Sequence, residues 1–392
     1  MELAVSLEWV LEDPLAELNR LKLTLISDGA EVIDLSMINP DLPPGRFLQD
    51  KLLEAAVRPE NHRYAVSRGI KKLRAAFAVK YQQTFGVTLD PETEVCATLG
   101  SKDAITHLLH CIAPSRKAVL VGQPTYPAYL YALRTAGVSF GFFSISDDES
   151  AMLQEIEQEL ASGRYGLLLL NFPNNPSGTV VDRCFYNRLA QIAERYHVCV
   201  ANDFVYGEML FDEPAGCSLL GTEYFRREGV EIYSLSKAYN IPGWRVGAVL
   251  GSVRLVNLIV RLKSRLDYGI FLPLQTAAAA ALSSHDNLVG AVRRQYRERS
   301  LALIKGLRTL GFELAAPSAG CSLWARLPLA YRSLGAEEFC RRLLQEERIV
   351  LLPGGIFGEG FKDYVRLALV SPVERLAVVF ERLRSFQERT RL

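Results

Sequence analysis

Strand-length apolar runs alternate with longer helical patterns through the middle of the chain, and this alternation limits the possible folds more than any other feature. Five such runs are Lys117 to Val121, Gly166 to Asn171, His197 to Asn202, Val230 to Ser234 and Val246 to Leu250. Between them, segments such as Phe185 to Tyr196 place apolar residues at helical spacing. This order predicts an α/β fold in which helices cover a mostly parallel sheet.

The pattern changes after about residue 285. A long amphipathic helix is followed by short strands near Cys321 to Arg326 and Val365 to Leu369, and then by a last helix. With 392 residues, the chain also exceeds the size at which one hydrophobic core keeps growing. We therefore expect a large domain over residues 46–285 and a smaller α+β domain over residues 286–392, with the N-terminal segment 1–45 joined to the smaller one.

Charge and cysteine usage exclude several classes of protein. The net charge of +1 gives no general attraction to nucleic acid or to an anionic membrane surface. The acidic segment Met1 to Pro14 does not resemble a signal peptide, and no apolar run approaches the roughly 20 residues that cross a bilayer. Seven cysteines without a Cys-x-x-Cys pair indicate a reduced, cytoplasmic protein without structural zinc.

Several predicted strands end in unusual polar or Gly/Pro-rich sequence. These segments are residues 122–127, 171–178, 203–206 and 234–237. Sheets of this kind bind ligands outside the carboxyl ends of their strands. We therefore expect the chemistry of the protein in these four segments.

Lys237 and Asp203 are the two most informative residues in these segments. A lysine at a strand end can form an imine with an aldehyde if its surroundings hold it unprotonated, although a lone lysine is more often a solvated surface residue. Asp203 follows an apolar strand, where a buried carboxylate needs a cationic partner or several donors. An arginine partner or a helix cap would satisfy it, and so would the protonated ring nitrogen of pyridoxal phosphate.

A phosphate site is predicted separately at residues 100–103, where Gly100, Ser101 and Lys102 open a helical stretch. Free amides at the positive end of a helix dipole attract an anion, although a helix capped only by Ser101 explains the same residues. Ser234, Ser236 and Arg245 can add hydroxyl groups and a fork-shaped cation to the same phosphate.

These motifs together resemble the class I and II aminotransferases of fold type I, which use pyridoxal phosphate. The resemblance runs in sequence order over nearly the whole chain and is strongest with the alanine and LL-diaminopimelate aminotransferase branch. The motifs are residues 63–69, 100–102, 124–127, 174–178, 203–206, 234–237 with Arg245, 267–269 and 365–368.

The resemblance implies a role in holding the cofactor for each matching residue. Lys237 would bind the cofactor covalently and later move the proton, Asp203 would pair with the pyridine nitrogen, and Tyr206 would act with Asn175 on the phenolic oxygen. Tyr126 would stack on the ring. The phosphate would be held by Gly100, Ser101, Lys102, Ser234, Ser236 and Arg245.

The resemblance also implies the reaction and the assembly. An amino group would pass between an L-amino acid and a 2-oxo acid, with Arg366 gripping the substrate carboxylate. Asn175 and Ile38 would also contact the substrate. Tyr64 would reach the phosphate of the neighbouring subunit, so the expected unit is a homodimer.

The sequence departs from the family at Ile38, where many relatives have glycine. A branched side chain there should narrow the pocket or move its loop, which favours small or unusually shaped amino acids. Arg265 is a second open point. It lies on a basic helix that is usually solvated, although in some relatives an arginine near this place reaches across the dimer to a distal carboxylate.

Other functions remain open at this stage. A lyase, decarboxylase or acyl-transferring synthase would share all of the cofactor residues, and a catalytically silent paralogue could keep them too. A cofactor-sensing transcription regulator is disfavoured because the motifs begin by residue 36, which leaves no room for a DNA-binding domain. His107 and His110 are spaced unsuitably for a two-histidine metal pair on one helix, so no metal is expected.

Overall fold

The computed structural model describes residues 15–212, 215–284 and 287–390. The segment Met1 to Pro14 and the expected domain boundary between residues 285 and 286 lie outside the described residues. None of the described helices combines the length and the apolar composition that crossing a bilayer requires.

The helices with α-helical hydrogen bonding alternate with strands as the sequence predicts. In chain order they are α1 Ala16–Ser27, α2 Arg46–Ala56, α3 Lys71–Phe85, α4 Ser101–Ile112, α5 Pro127–Thr135, α6 Glu149–Ala161, α7 Arg183–Arg195, α8 Glu223–Glu228, α9 Leu235–Ala238, α10 Val253–Leu266, α11 Leu272–Leu282, α12 Leu288–Thr309, α13 Ala336–Glu347 and α14 Val373–Arg389.

The strands form one large and two small sheets. They are β1 Ile33–Asp34, β2 Val95–Thr98, β3 Ala118–Gln123, β4 Phe140–Ser144, β5 Tyr165–Leu170, β6 Cys199–Asp203, β7 Gly229–Ser234, β8 Gly247–Gly251, β9 Ser322–Arg326, β10 Ile349–Val350, β11 Leu352–Pro353 and β12 Tyr364–Ala368. The large sheet has the order β2-β8-β7-β6-β5-β3-β4.

The large sheet is mostly parallel, which confirms the predicted α/β fold. The pairs β4–β3, β3–β5, β5–β6 and β6–β7 are parallel, whereas β8 is antiparallel to both β7 and β2. The run Val246 to Leu250 thus differs from the other four predicted runs. Its connection to β7 contains only the short helix α9 and a single 3-10 turn, and the chain turns back along the sheet.

Both faces of the sheet are buried. Leu168 and Leu170 of β5 pack into one apolar layer, and Leu167 and Leu169 pack into the other. This alternation follows from the two-residue period of a strand, and burial on both sides explains why β5 is a continuous apolar run. Helices on both faces leave only the ends of the strands for polar loops.

The C-terminal part carries the small sheets. Strands β11, β12 and β9 form an antiparallel sheet, and β1 pairs in parallel with β10. The backbone N–H of Ala368 also donates to the carbonyl oxygen of Leu35 at 2.7 Å. These bonds bring the loop after β1, which contains Ile38, to the end of β12 beside Arg366.

Candidate active site

A cavity of about 550 Å³ lies at the carboxyl ends of the central strands. Its wall contains residues from the polar segments that follow β3, β5, β6 and β7, as the sequence predicts for a sheet of this type. Of the predicted site residues, the wall includes Ile38, Ser101, Lys102, Tyr126, Asn175, Asp203, Tyr206, Ser234, Ser236, Lys237, Arg245 and Arg366.

Lys237 lies on the short helix α9, directly after β7. Its Nζ donates a hydrogen bond of 2.6 Å to the carbonyl oxygen of Ile38. Burial lowers the pKa of this ammonium group from 10.5 to about 8. Three nearby cations act in the same direction, namely Arg366, Arg245 and Lys102. A substantial fraction of Lys237 is therefore neutral and nucleophilic near physiological pH.

Asp203 is the last residue of β6 and is 4% exposed. Its Oδ2 accepts a 2.6 Å hydrogen bond from the hydroxyl of Tyr129, whereas Oδ1 is buried without a hydrogen-bond partner in the described structure. Burial raises the pKa of this carboxyl group from 3.8 to about 6, although Tyr129 opposes the rise. The carboxylate therefore lacks a cationic partner on its cavity side.

Asn171 holds the loop after β5 beside Asp203. The side-chain NH2 group of Asn171 donates a 2.8 Å hydrogen bond to the main-chain oxygen of Asp203. Its side-chain oxygen accepts a 2.9 Å hydrogen bond from the backbone N–H of Asn175. Asn171 therefore fixes the position of Asn175 relative to Asp203. The sequence placed Asn171 at a strand end, but it offered no signal for this supporting role.

The predicted phosphate site lies at the start of α4. Gly100, with a φ of 84°, is the N-cap, and it makes no side-chain cap hydrogen bond. The interpretation of Ser101 as a plain helix cap is therefore wrong, because Ser101 is the first helical residue. Its hydroxyl and the first backbone amides of α4 are left for another acceptor.

Arg245 lies against this helix start. A Cβ atom on Gly100 would lie 2.5 Å from an Arg245 guanidinium nitrogen, so a larger residue would push the guanidinium out of this position. The guanidinium donates 3.1 Å hydrogen bonds to the carbonyl oxygens of Leu99 and Pro242. The Ser234 hydroxyl lies 3.0 Å from that of Ser236, which completes a group of donors on the same side of the cavity.

Arg366 lies on β12 and is 5% exposed. It donates to the Asn175 side-chain oxygen at 3.1 Å and to the Ser36 carbonyl oxygen at 2.6 Å. Its Nε is buried without an acceptor, and the guanidinium forms no salt bridge within the described ranges. This is a preorganised cation that lacks a carboxylate partner.

Aromatic side chains line the space between Asp203 and Arg366. Tyr206 is 5% exposed, and the ring of Tyr126 lies edge-on to that of Tyr129, with centroids 5.5 Å apart. Lys102 places its Nζ 5.7 Å from the centroid of the Tyr126 ring. These faces suit a flat conjugated ligand.

Sequence reasoning missed two parts of the site. Tyr129 follows Tyr126 by one helical turn, and that spacing was the only signal for its bond to Asp203. Leu15, Leu18 and Asn19 also line the cavity from the first helix and the residue before it, where no polar motif indicated a site.

Gly100 does not itself line this cavity, although Ser101 does, and two further candidate residues lie away from it. Tyr64 is 84% exposed and packs against Tyr268, with ring centroids 4.6 Å apart. Arg265 is also exposed. Within one chain, neither residue belongs to the wall that holds Lys237 and Asp203.

Comparison with known proteins agrees with this geometry. The family model described as "Aminotransferase class I and II" matches residues 30–383. The glutamate-pyruvate aminotransferase AlaC of Escherichia coli (strain K12) is 35% identical, over 91% of this chain and 87% of that protein. An LL-diaminopimelate aminotransferase of Dehalococcoides mccartyi (strain ATCC BAA-2266 / KCTC 15142 / 195) is 34% identical, over 92% of each.

A solved structure shares the fold. Substrate-bound BacF from Bacillus subtilis superposes with a TM-score of 0.89 at 30% identity, and the match covers 95% of both chains.

Proposed function

The chain belongs to the class I and II aminotransferases, and from this premise we propose that Lys237, Asp203 and Arg366 are the groups that carry its reaction. The enzyme depends on pyridoxal phosphate and moves an amino group between an amino acid and a 2-oxo acid. The assignment of individual residues rests on the geometry of the cavity.

The residues present fit this cofactor at both ends. The unpartnered Oδ1 of Asp203 suits a protonated ring nitrogen, which would supply the missing cation. At the opposite end, the close approach of Gly100 and Arg245 leaves amides, hydroxyls and a guanidinium for a phosphate. When bound, the cofactor supplies an aldehyde and a conjugated ring that accepts electrons from the substrate α-carbon.

Lys237 supplies the amine and the proton transfer. Its pKa of about 8 allows the side chain to be neutral when it attacks or accepts the substrate α-proton, and protonated when it would pass that proton to the cofactor carbon. The Ile38 carbonyl oxygen, 2.6 Å from Nζ, can hold the released amine within the cavity.

Arg366 orients the amino acid. Asn175 and Ser36 hold the guanidinium, so the substrate carboxylate meets a cation that needs little rearrangement. Fixing the carboxylate selects which bond to the α-carbon stands perpendicular to the conjugated ring. This favours loss of the α-proton over loss of carbon dioxide.

The tyrosines and Asn175 complete the cofactor site. We assign Tyr126 to stacking on the ring, and Tyr206 with Asn175 to hydrogen bonding with its phenolic oxygen. All three line the cavity, and Tyr206 and Asn175 are buried.

A homodimer is supported by an exposed apolar patch near the cavity. Val57, Tyr64, Leu266, Tyr268 and Phe271 are between 45% and 84% exposed, and ring contacts join Tyr64 to Tyr268. A second copy would cover this patch and bring Tyr64 towards its phosphate site. Sedimentation equilibrium should give twice the chain mass, and a monomer would contradict the assignment of Tyr64.

The side-chain end of the cavity is built from uncharged groups. Leu15, Leu18, Asn19, Met37 and Asn39 line it beside Ile38, and its four cations are those already assigned to cofactor and carboxylate. We therefore propose alanine or another amino acid with an uncharged side chain as one substrate.

Half-reactions with alanine, glutamine and glutamate test this substrate class. Failure of both alanine and glutamine to convert the protein would contradict it, and loss of glutamate turnover in Arg265→Ala would implicate the partner's arginine. Ile38→Gly should widen the set of accepted amino acids, and an unchanged profile would remove Ile38 as a determinant.

Location and domain division are also proposals. All seven cysteines are free, which fits a reducing, cytoplasmic environment and is testable by cell fractionation. Limited proteolysis tests the division into residues 46–285 and the remainder, because cleavage should concentrate near those boundaries.

The observation that carries the proposed function is that the half-buried Lys237 and the buried Asp203, neither of which forms an ion pair within the described residues, line one cavity. Amino acids added to the purified protein should convert its visible absorbance to that of the pyridoxamine form and release the matching 2-oxo acid. Release of ammonia or carbon dioxide instead would indicate a lyase or a decarboxylase.

A further inference from the structure

A group of four charged or titratable residues, two of them buried and two partly buried, lies beside the start of the phosphate-site helix. We call it the α4–α10 quartet, and it consists of Asp103 and His107 on α4, Lys263 on α10, and Asp267 just after α10. The Lys263 side chain is fully buried, and its Nζ lies 2.7 and 2.8 Å from the two carboxylate oxygens of Asp267. The same Nζ is 3.8 Å from Asp103.

His107 links the two carboxylates from the other side. Its Nδ1 lies 3.1 Å from a carboxylate oxygen of Asp103, and its Nε2 lies 4.0 Å from Asp267. The ligand atoms of Asp103, His107 and Asp267 lie within 4.8 Å of one another, which is close enough for a metal ion. The ammonium group of Lys263 neutralises one of these carboxylates, and the hydrogen bond to Asp103 raises the pKa of His107, whose protonated form neutralises the other.

The carboxylates of the quartet hold two backbone segments by hydrogen bonds. Asp103 accepts a 2.9 Å hydrogen bond from the backbone N–H of Leu99, which fixes the turn that leads into Gly100 and Ser101. The Asp267 carboxylate accepts a 2.6 Å hydrogen bond from the backbone N–H of Gly269, and this bond fixes the loop that carries Tyr268.

The same loop holds the segment that contains Tyr64. The main-chain oxygen of Asp267 accepts a 2.6 Å hydrogen bond from the Ser67 hydroxyl. The ring of Tyr268 packs on the ring of Tyr64. Lys263 thus bridges the start of α4, through Asp103, and the Tyr64 segment, through Asp267.

We propose that Lys263 and Asp267 are positioning residues for the cofactor phosphate, because the buried ammonium group joins the amino end of α4 to the loop that supports Tyr64. This inference rests on the proposed function. It assigns to the quartet an effect on cofactor affinity and none on the proton transfer by Lys237.

The double variant Lys263→Met/Asp267→Asn gives the sharpest test. It removes the bridge without leaving Asp267 as an uncompensated buried charge, and the Asn oxygen can still accept from Gly269. Networked groups couple by roughly 2- to 100-fold in an equilibrium constant. We expect the dissociation constant of pyridoxal phosphate from the apoprotein to rise about 10-fold, with kcat at saturating cofactor within about 2-fold of the wild type.

Single variants and a control separate positioning from stability. Lys263→Met should bind the cofactor more weakly than the double variant, because it leaves two carboxylates facing each other. Arg226→Met breaks another, partly buried ion pair, with Glu94 at 2.9 Å, beside the amino end of β2, whereas Gly100 follows the carboxyl end of that strand. It should lower the melting temperature while leaving cofactor affinity unchanged.

The outcomes distinguish this inference from the proposed function. If the double variant binds cofactor within about 2-fold of the wild type, or if Arg226→Met weakens binding equally, the positioning role is wrong. If the wild-type protein takes up no cofactor, the proposed site itself fails. If Lys263→Met alone does not fold, the double variant still decides the question.

Discussion

Replacement of Asp203 by asparagine should have opposite effects on the apoprotein and on the working enzyme. Burial raises the pKa of Asp203 from 3.8 to about 6. When the pKa of a carboxyl group is higher in the folded protein than in the unfolded chain, the folded protein loses stability as the pH rises from the lower pKa to the higher one. Above both values the cost is roughly 3 kcal/mol, since each pH unit corresponds to about 1.4 kcal/mol.

The pH dependence isolates this effect from other consequences of the substitution. Between pH 5 and pH 7.5, the raised pKa of Asp203 should lower the free energy of unfolding of the wild-type apoprotein by about 1.4 kcal/mol. The Asn variant should lack this change. Urea unfolding of both apoproteins at these two pH values measures it. Asp50→Asn, at an exposed carboxylate, should track the wild type.

Bound cofactor should turn the effect of the Asp203→Asn substitution from favourable to unfavourable. A protonated ring nitrogen beside Oδ1 removes the penalty in the wild type, whereas the neutral Asn leaves that cation unpaired. Breaking a buried pair costs roughly 3–5 kcal/mol, so kcat/KM should fall by about 100-fold or more. Parallel stability profiles of the two apoproteins, or turnover within about 10-fold of the wild type, would refute the assignment of Asp203.

Four further results are expected. The apoprotein should attach cofactor faster as pH rises, with a midpoint near 8 by stopped-flow absorbance, because only neutral Lys237 attacks; a midpoint near 10.5 would show an ordinary exposed lysine. Gly100→Ala should weaken cofactor binding by at least about 10-fold, because its Cβ would meet Arg245. Gly137 also has a positive φ but has open space around it, so Gly137→Ala is the control, and equal effects of the two substitutions would exclude the proposed phosphate site. Arg366→Lys should raise KM for the amino acid by roughly 10- to 100-fold through loss of the two-pronged contact, and an unchanged KM in steady-state assays would place the carboxylate elsewhere. Tyr129→Phe should raise the pKa of Asp203 further, which would appear as a steeper loss of apoprotein stability between pH 5 and 7.5; an unchanged slope would argue against that hydrogen bond.

The sequence predicted the buried interior of the sheet better than its margins. Strands such as β5 are apolar on both faces, and their runs of leucine are visible without a structure. The two strands of the large sheet that were not predicted, Val95–Thr98 and Phe140–Ser144, lie at its two edges. Val95–Thr98 is buried but only four residues long, and Phe140–Ser144 is only partly covered, so both sequences carry a weaker pattern.

The site followed the same rule. Residues at the ends of buried strands, such as Asp203 and Lys237, were found because strand ends converge. Asn19 and the quartet residue Lys263 were not assigned roles, because helix residues acquire them only through packing against distant parts of the chain. Lys263 looked like one more cation on a basic helix, yet the structure buries it completely.

The most direct test of the account is to reduce the purified protein with borohydride and locate the attached cofactor by peptide mass spectrometry. The account predicts a single pyridoxyl group on Lys237, with loss of the visible absorbance band. A modification on another lysine, or a protein that carries none after incubation with pyridoxal phosphate, would contradict it.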